Sequence, residues 1–126
     1  MEVLVVEDCS PATERLPEMV RAAVGADAVM HMATGLDDGV TLARRCADIE
    51  LVVVDAADPV ASEFMALTQL RAENQDATVV VFGGDEDRNA IRAWLNAGAS
   101  AYISKNSAPS AAAAALRFLA HGRPFR

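Results

Sequence analysis

The chain has 126 residues, a length that holds one domain around one core. Lysine and arginine number 11 against 18 aspartates and glutamates, a net charge of −7 with an isoelectric point near 4.7, which argues against direct nucleic-acid binding because gripping phosphates needs clustered positive charge. Hydrophobic residues reach 52 %, yet no apolar run approaches the roughly 20 residues that cross a bilayer and no charged leader precedes the first strand-like run, so a cytoplasmic protein without membrane contact is expected.

The first apolar run, Val3-Leu4-Val5-Val6, is short and β-branched, as expected of a strand, and ends in Glu7-Asp8. Ser10-Pro11 then reads as an N-cap and first-turn proline ahead of a helix whose stripe is Leu16, Met19, Val20 and Ala23. Pro17 falls inside that helix and removes a backbone bond, which predicts a kink or a shifted start. Ala28-Val29-Met30-His31-Met32 is the weakest strand signal, and Leu36, Val40 and Ala43 mark a second helix. Leu51-Val52-Val53-Val54 delivers Asp55 at its end, and a third helix follows through Phe64, Leu67 and Leu70. Thr78-Val79-Val80-Val81-Phe82 precedes Gly83-Gly84, then comes a helical stripe of Ile91, Leu95 and Gly98. Ala101-Tyr102-Ile103 leads through Ser104 to Lys105, and Ser107 with Pro109 opens a last, alanine-rich helix carrying Ala112, Leu116 and Leu119 and ending near Gly122. Strand and helix thus alternate five times. The strand runs are continuous rather than alternating, so the sheet is expected to be parallel, with helices on both faces.

In an open α/β sheet, functional groups gather outside the carboxyl ends of the strands. Glu7, Asp8, Asp55, Gly83 and Lys105 all stand at such ends. Three carboxylates there repel one another and invite a hard divalent cation with oxygen ligands, most simply Mg²⁺, with Lys105 as the remaining counter-charge. An aspartate beside such a cation and a lysine is poised to attack a phosphoryl group, which makes Asp55 the nucleophile. A dinucleotide or P-loop site needs glycines or a Lys-Ser/Thr pair after the first strand, and Glu7-Asp8-Cys9-Ser10-Pro11 has neither. Two cysteines, Cys9 and Cys46, fit a reducing compartment and small buried or half-buried packing roles. Trp94 reads as packing. His31 and His121 have no acidic or nucleophilic partner at a sensible spacing and receive no chemistry.

Val-Leu-Val-Val-Glu-Asp ending at Asp8, Leu-Val-Val-Val-Asp ending at Asp55 with Pro59 four residues on, and residues 97–105 ending in Lys105 resemble, in that order, the receiver domain of two-component response regulators. The resemblance covers nearly the whole chain. It implies a flavodoxin-like doubly wound sheet of five parallel strands in the order 2-1-3-4-5, flanked by five helices. It further implies that Asp55 accepts a phosphoryl group from a sensor histidine kinase with Mg²⁺ bound. Asp8 would ligate the metal directly, Glu7 largely through water, and the Ala57 backbone carbonyl would be a further ligand. Lys105 would pair with the phosphoryl group, and Tyr102 matches the family's aromatic switch position. Residues 116–124 are similar to NarL/FixJ-type receivers, in which a DNA-binding output domain commonly follows. Residues 1–122 are therefore expected to be the receiver and 123–126 the start of a linker or tail. The last helix, with the strand before it, resembles the region many receivers use to dimerise. One departure stands out: Gly83 replaces the family's usual Ser or Thr, which leaves open a degenerate receiver acting as a phosphorylation-independent interaction module.

Overall fold

The computed structural model describes residues 1–7, 15–56, 61–84 and 87–121. Its elements are β1 (Glu2–Val6), α1 (Arg15–Val24), β2 (Val29–Ala33), α2 (Leu36–Arg45), β3 (Ile49–Ala56), α3 (Ala61–Glu73), β4 (Thr78–Gly83), α4 (Arg88–Ala97), β5 (Ala101–Ser104) and α5 (Pro109–His121). All strand pairs are parallel, and the order β2-β1-β3-β4-β5 is the one expected.

Strand side chains alternate between two helical layers, which is why each valine run is continuous. Leu4, Val6, Val52, Val54, Val79 and Val81 face a core closed by residues of α2, α3 and α4. Val3, Val5, Leu51, Val53, Val80 and Phe82 face the other, closed by Leu16 and Val20 of α1 and Leu116 of α5. His121 joins α1 to α5 through Nε2 and the Ala23 carbonyl oxygen, 2.7 Å apart.

Pro17 is the third described residue of α1, and the residues just before Arg15 lie outside the described residues. Ser10, Pro11 and Gly122 lie outside the described residues. Pro109 is the first helical residue of α5, as its fixed φ favours. Gly98 caps α4 at φ 131°, a conformation that favours glycine. The expected α4 stripe is wrong by one position: Trp94 is 1 % exposed whereas Leu95 is 41 % exposed. The indole packs edge-on against Phe64 of α3, centroids 4.6 Å apart, and that contact sets the helix's rotation. Among the described residues no helix is long and apolar enough to cross a membrane.

Candidate functional site

β3 runs two residues past its apolar run, which ends at Val54. Asp55 pairs in the ladder with Phe82, and Ala56 with Gly83. Asp55 is thereby held as strand backbone, with its side chain 2 % exposed. Beyond β5, the Lys105 amide donates to the Gly83 carbonyl at 2.8 Å, extending the β4–β5 pairing by one bond. That bond aims the lysine across the sheet edge. Its Nζ donates to the Ala56 carbonyl at 3.3 Å and forms an ion pair with Asp55 Oδ1. Among the described residues, neither Asp55 carboxylate oxygen accepts a hydrogen bond. A buried carboxylate in that state bears a desolvation cost that one half-exposed ammonium offsets only in part.

Glu7 is half-buried just past the end of β1, where its amide donates to the Ala33 carbonyl at 3.0 Å and prolongs the β1–β2 ladder. Since β1 lies beside β3, Glu7 and Asp55 end neighbouring strands. Asp8 and Ala57, the other two expected ligands, lie outside the described residues. The described donors are carboxylate oxygens, and Asp55 carries two without hydrogen bonds, a donor set that fits a hard cation such as Mg²⁺.

Gly83 is a strand residue without positive φ, so its glycine character is not conformational. Its reason is steric. A Cβ at position 83 would fall on the Tyr102 phenol, nearest to its Oη and 2.6 Å from Cζ. Tyr102, half-buried in β5, lays its hydroxyl into the space that a side chain on residue 83 would fill. Neither sequence neighbour of Gly83 carries a hydroxyl, but the adjacent strand brings one to it. Gly84 has open space around its Cβ direction and places no comparable constraint.

The model for the response regulator receiver domain matches residues 3–117. The chain belongs to that family. Receivers are signalling domains of two-component systems, not classical enzymes. No curated protein matches this receiver in sequence. Solved structures share its fold: a pilus assembly-related protein from Burkholderia pseudomallei at TM-score 0.81 and 17 % identity, covering 100 % of this chain and 93 % of that one. A CpaE2 pilus assembly protein from Sinorhizobium meliloti reaches 0.71 and 26 %, covering 94 % and 99 %. A response regulator from Burkholderia pseudomallei, solved with a phosphorylated aspartic acid, calcium ion and citrate, reaches 0.70 and 20 %, covering 96 % and 69 %.

At the opposite end of the receiver's sheet lies a cluster that sequence reasoning passed over. His31 does have partners: its Nε2 is 2.6 Å from Glu2 Oε1, and Cys46 Sγ donates to the same oxygen at 3.3 Å. Cys46 is also more than a packing residue, since its sulfur stands 3.6 Å from His31 Nε2. The contacts span 29 and 44 residues of chain, so no local spacing reveals them. The available signal was a histidine inside β2 and a glutamate opening β1, both in phase with core residues on the face that α2 covers.

Proposed function

We propose that this receiver is cytoplasmic, accepts a phosphoryl group on Asp55 from a sensor histidine kinase and relays it as a conformational change. The observation that carries this reading is the buried Asp55 carboxylate, ion-paired with Lys105 and free of hydrogen bonds among the described residues, at the sheet edge beside Glu7. An Asp55 oxygen attacks phosphorus in line, forming an acyl-phosphate O–P bond as the donor's P–N bond breaks. The electron pair of that bond returns to the donor imidazole. Lys105 then shifts from the carboxylate to the new phosphoryl oxygens, for which its position over Ala56 suits it. Water later cleaves the acyl phosphate and restores Asp55, so transfer and loss are both assisted by the domain's own residues. Glu7, Asp8, Asp55 and the Ala57 carbonyl would hold Mg²⁺, which when bound would supply charge neutralisation at the phosphoryl oxygens. The calcium in a phosphorylated response regulator of the same fold supports a divalent ion in this role.

Tyr102 and Gly83 act together as the switch: the phenol fills the place where the family carries a hydroxylated side chain. The remaining partners follow the NarL/FixJ-like reading, with a DNA-binding output domain outside this chain and self-association through α5 and β5. Ala111 and Ala114 are exposed on α5, and Phe118 is 65 % exposed on the same helix, an apolar strip suited to close helix approach.

The Gly83–Tyr102 packing also favours a second reading, in which the ring is fixed and the domain serves as an interaction module without phosphoryl signalling. Intact-mass measurement after incubation with Mg²⁺ and a small acyl phosphate separates the two. One added phosphoryl group, absent in Asp55→Ala, is the expected result. No added mass on a folded protein selects the interaction module.

A further inference from the structure

The second cluster has the makings of a metal site. Glu2 opens β1 on the same face as Leu4 and Val6, and His31 of β2 pairs in register with Leu4. Cys46 closes α2, its amide donating to the Leu42 carbonyl at 3.0 Å. Three elements thus point one donor each at a common spot, with all ligand atoms within 4.8 Å of one another.

The ordinary alternative is a local hydrogen-bond cluster or a catalytic relay. A relay needs the acid and the thiol on opposite ring nitrogens, so that a proton passes through the imidazole. Here both face Nε2. Three donor atoms gathered mutually within 4.8 Å, rather than strung across the ring, have the geometry of coordination. Around a tetrahedral zinc ion, with bonds of about 2.0–2.1 Å to nitrogen or oxygen and about 2.3 Å to sulfur, donors stand about 3.3–3.6 Å apart. The sulfur is already 3.3 Å from the carboxylate and 3.6 Å from the ring nitrogen. Only the 2.6 Å nitrogen–oxygen separation must open, by about 0.7 Å. The His31 and Glu2 side chains are 29 % and 32 % exposed, enough for a water to take a fourth position. The Asp48 carboxylate adds negative potential beside Cys46, and the chain's net charge of −7 favours cations generally.

We infer that Glu2, His31 and Cys46 bind a divalent transition-metal ion of borderline softness, of the Zn²⁺ class. On binding, the Cys46 thiol proton leaves to solvent and the imidazole proton resides on Nδ1, so that Sγ, Nε2 and Oε1 each offer a lone pair. Sulfur and imidazole donors discriminate against Mg²⁺, so the site does not compete with the one at Asp55. Along the strands Glu2 lies about five residues, ~17 Å, before the level of Asp55, and His31 about three residues, ~10 Å, before it.

The test uses the full chain with Cys9→Ser, which removes the other thiol, and titrates Zn²⁺ against a chromophoric chelator and Co²⁺ by absorbance. One equivalent should bind with a Kd near or below about 10 μM, about −7 kcal/mol or stronger. Co²⁺ should give a thiolate-to-metal charge-transfer band. Cys46→Ser should abolish that band, and His31→Gln should weaken Zn²⁺ about tenfold or more. Glu2→Gln, which keeps shape and hydrogen bonding, should weaken it too. Circular dichroism confirms folding of each variant. Stoichiometric binding unchanged in Cys46→Ser and His31→Gln, or no binding by the folded Cys9→Ser chain, overturns the inference.

Discussion

The two ends of this sheet gather different chemistry from the same strands. At the carboxyl end, Asp55 and Glu7 present oxygen, and Lys105 supplies the positive charge. At the amino end, Glu2, His31 and Cys46 present oxygen, nitrogen and sulfur, held by hydrogen bonds among themselves. One end suits a hard ion and a phosphoryl group, the other a borderline metal. The difference teaches that donor softness, not charge alone, sorts what binds: both ends are acidic, yet among the described residues only the amino end carries a thiol and a ring nitrogen.

The largest effect should come from crossing the ends. Asp55→Asn is expected to abolish acyl-phosphate formation and leave Zn²⁺ affinity unchanged, while Cys46→Ser does the reverse. Mass spectrometry and chelator competition on both variants read this directly. A Cys46→Ser protein that loses phosphorylation while folded would show that the ends are coupled, and the comparison would fail.

Next in size is an asymmetry within the Asp55 pair. Lys105→Met leaves a carboxylate that is 2 % exposed without its charge partner, whereas Asp55→Asn leaves a lysine 37 % exposed that can turn to water. The first is expected to cost about 1–3 kcal/mol in urea unfolding and the second much less, because an unsatisfied buried group carries its full desolvation penalty. Mg²⁺ should restore part of the Lys105→Met loss by binding only the folded site. Equal costs for the two variants would mean that Asp55 is more solvated than the structure places it.

The sheet was legible because β1, β3 and β4 are runs rich in β-branched residues and the helices between them carry apolar periods, whereas β2, in which Val29 alone is β-branched, gave the weakest signal. Asp55 and Lys105 were legible because they terminate such runs. Position 83 was harder. The sequence shows a glycine pair, which reads as a flexible loop lacking a hydroxyl, yet Gly83 is regular strand and its small size accommodates Tyr102 from the adjacent strand. Nothing local encodes that contact: it follows from the β4–β5 register, which pairs Val81 with Tyr102 and Gly83 with Ser104. Trp94 over Leu95 in α4 was decided likewise, by packing on Phe64. Asp8 and Ala57 lie outside the described residues.

A smaller effect tests that packing. Gly83→Ala should cost about 1–3 kcal/mol, since a new Cβ must displace the Tyr102 ring. In a Tyr102→Ala background the penalty should largely vanish, giving a coupling of about 0.5–3 kcal/mol. Additive effects would show that the ring does not hold position 83. Gly83→Thr restores a hydroxyl and expels the ring at once. Its amide-shift response to beryllofluoride should therefore exceed the parent's, and comparison with Gly83→Thr/Tyr102→Ala separates the two causes.

The smallest effect belongs to the amino end without metal. The Glu2 carboxyl is held below the ordinary glutamate range, chiefly by its hydrogen bond with His31 and then by that from Cys46, with burial opposing. The charges on His31 and the Met1 ammonium act in the same lowering direction. The Cys46 thiol is pushed up, first by burial and then by the Glu2 bond, with the Asp48 carboxylate adding to the rise and its backbone opposing it. Since folding lowers the Glu2 value below the unfolded one of about 4.3, its contribution to stability is complete above that pH and lost as pH falls through the folded value. The thiol's raised value works oppositely: its contribution is present below an unfolded value of about 8.5 and lost as pH rises through the folded one. His31→Ala removes the chief cause of the Glu2 shift. A carboxyl-carbon NMR titration should then find Glu2 titrating at higher pH in the variant than in the parent, and the variant's Tm should fall less between neutral and acid pH. Coincident Glu2 midpoints in the two proteins would show that the 2.6 Å contact does not hold in solution, and the amino end would lose the preorganisation on which its metal affinity depends.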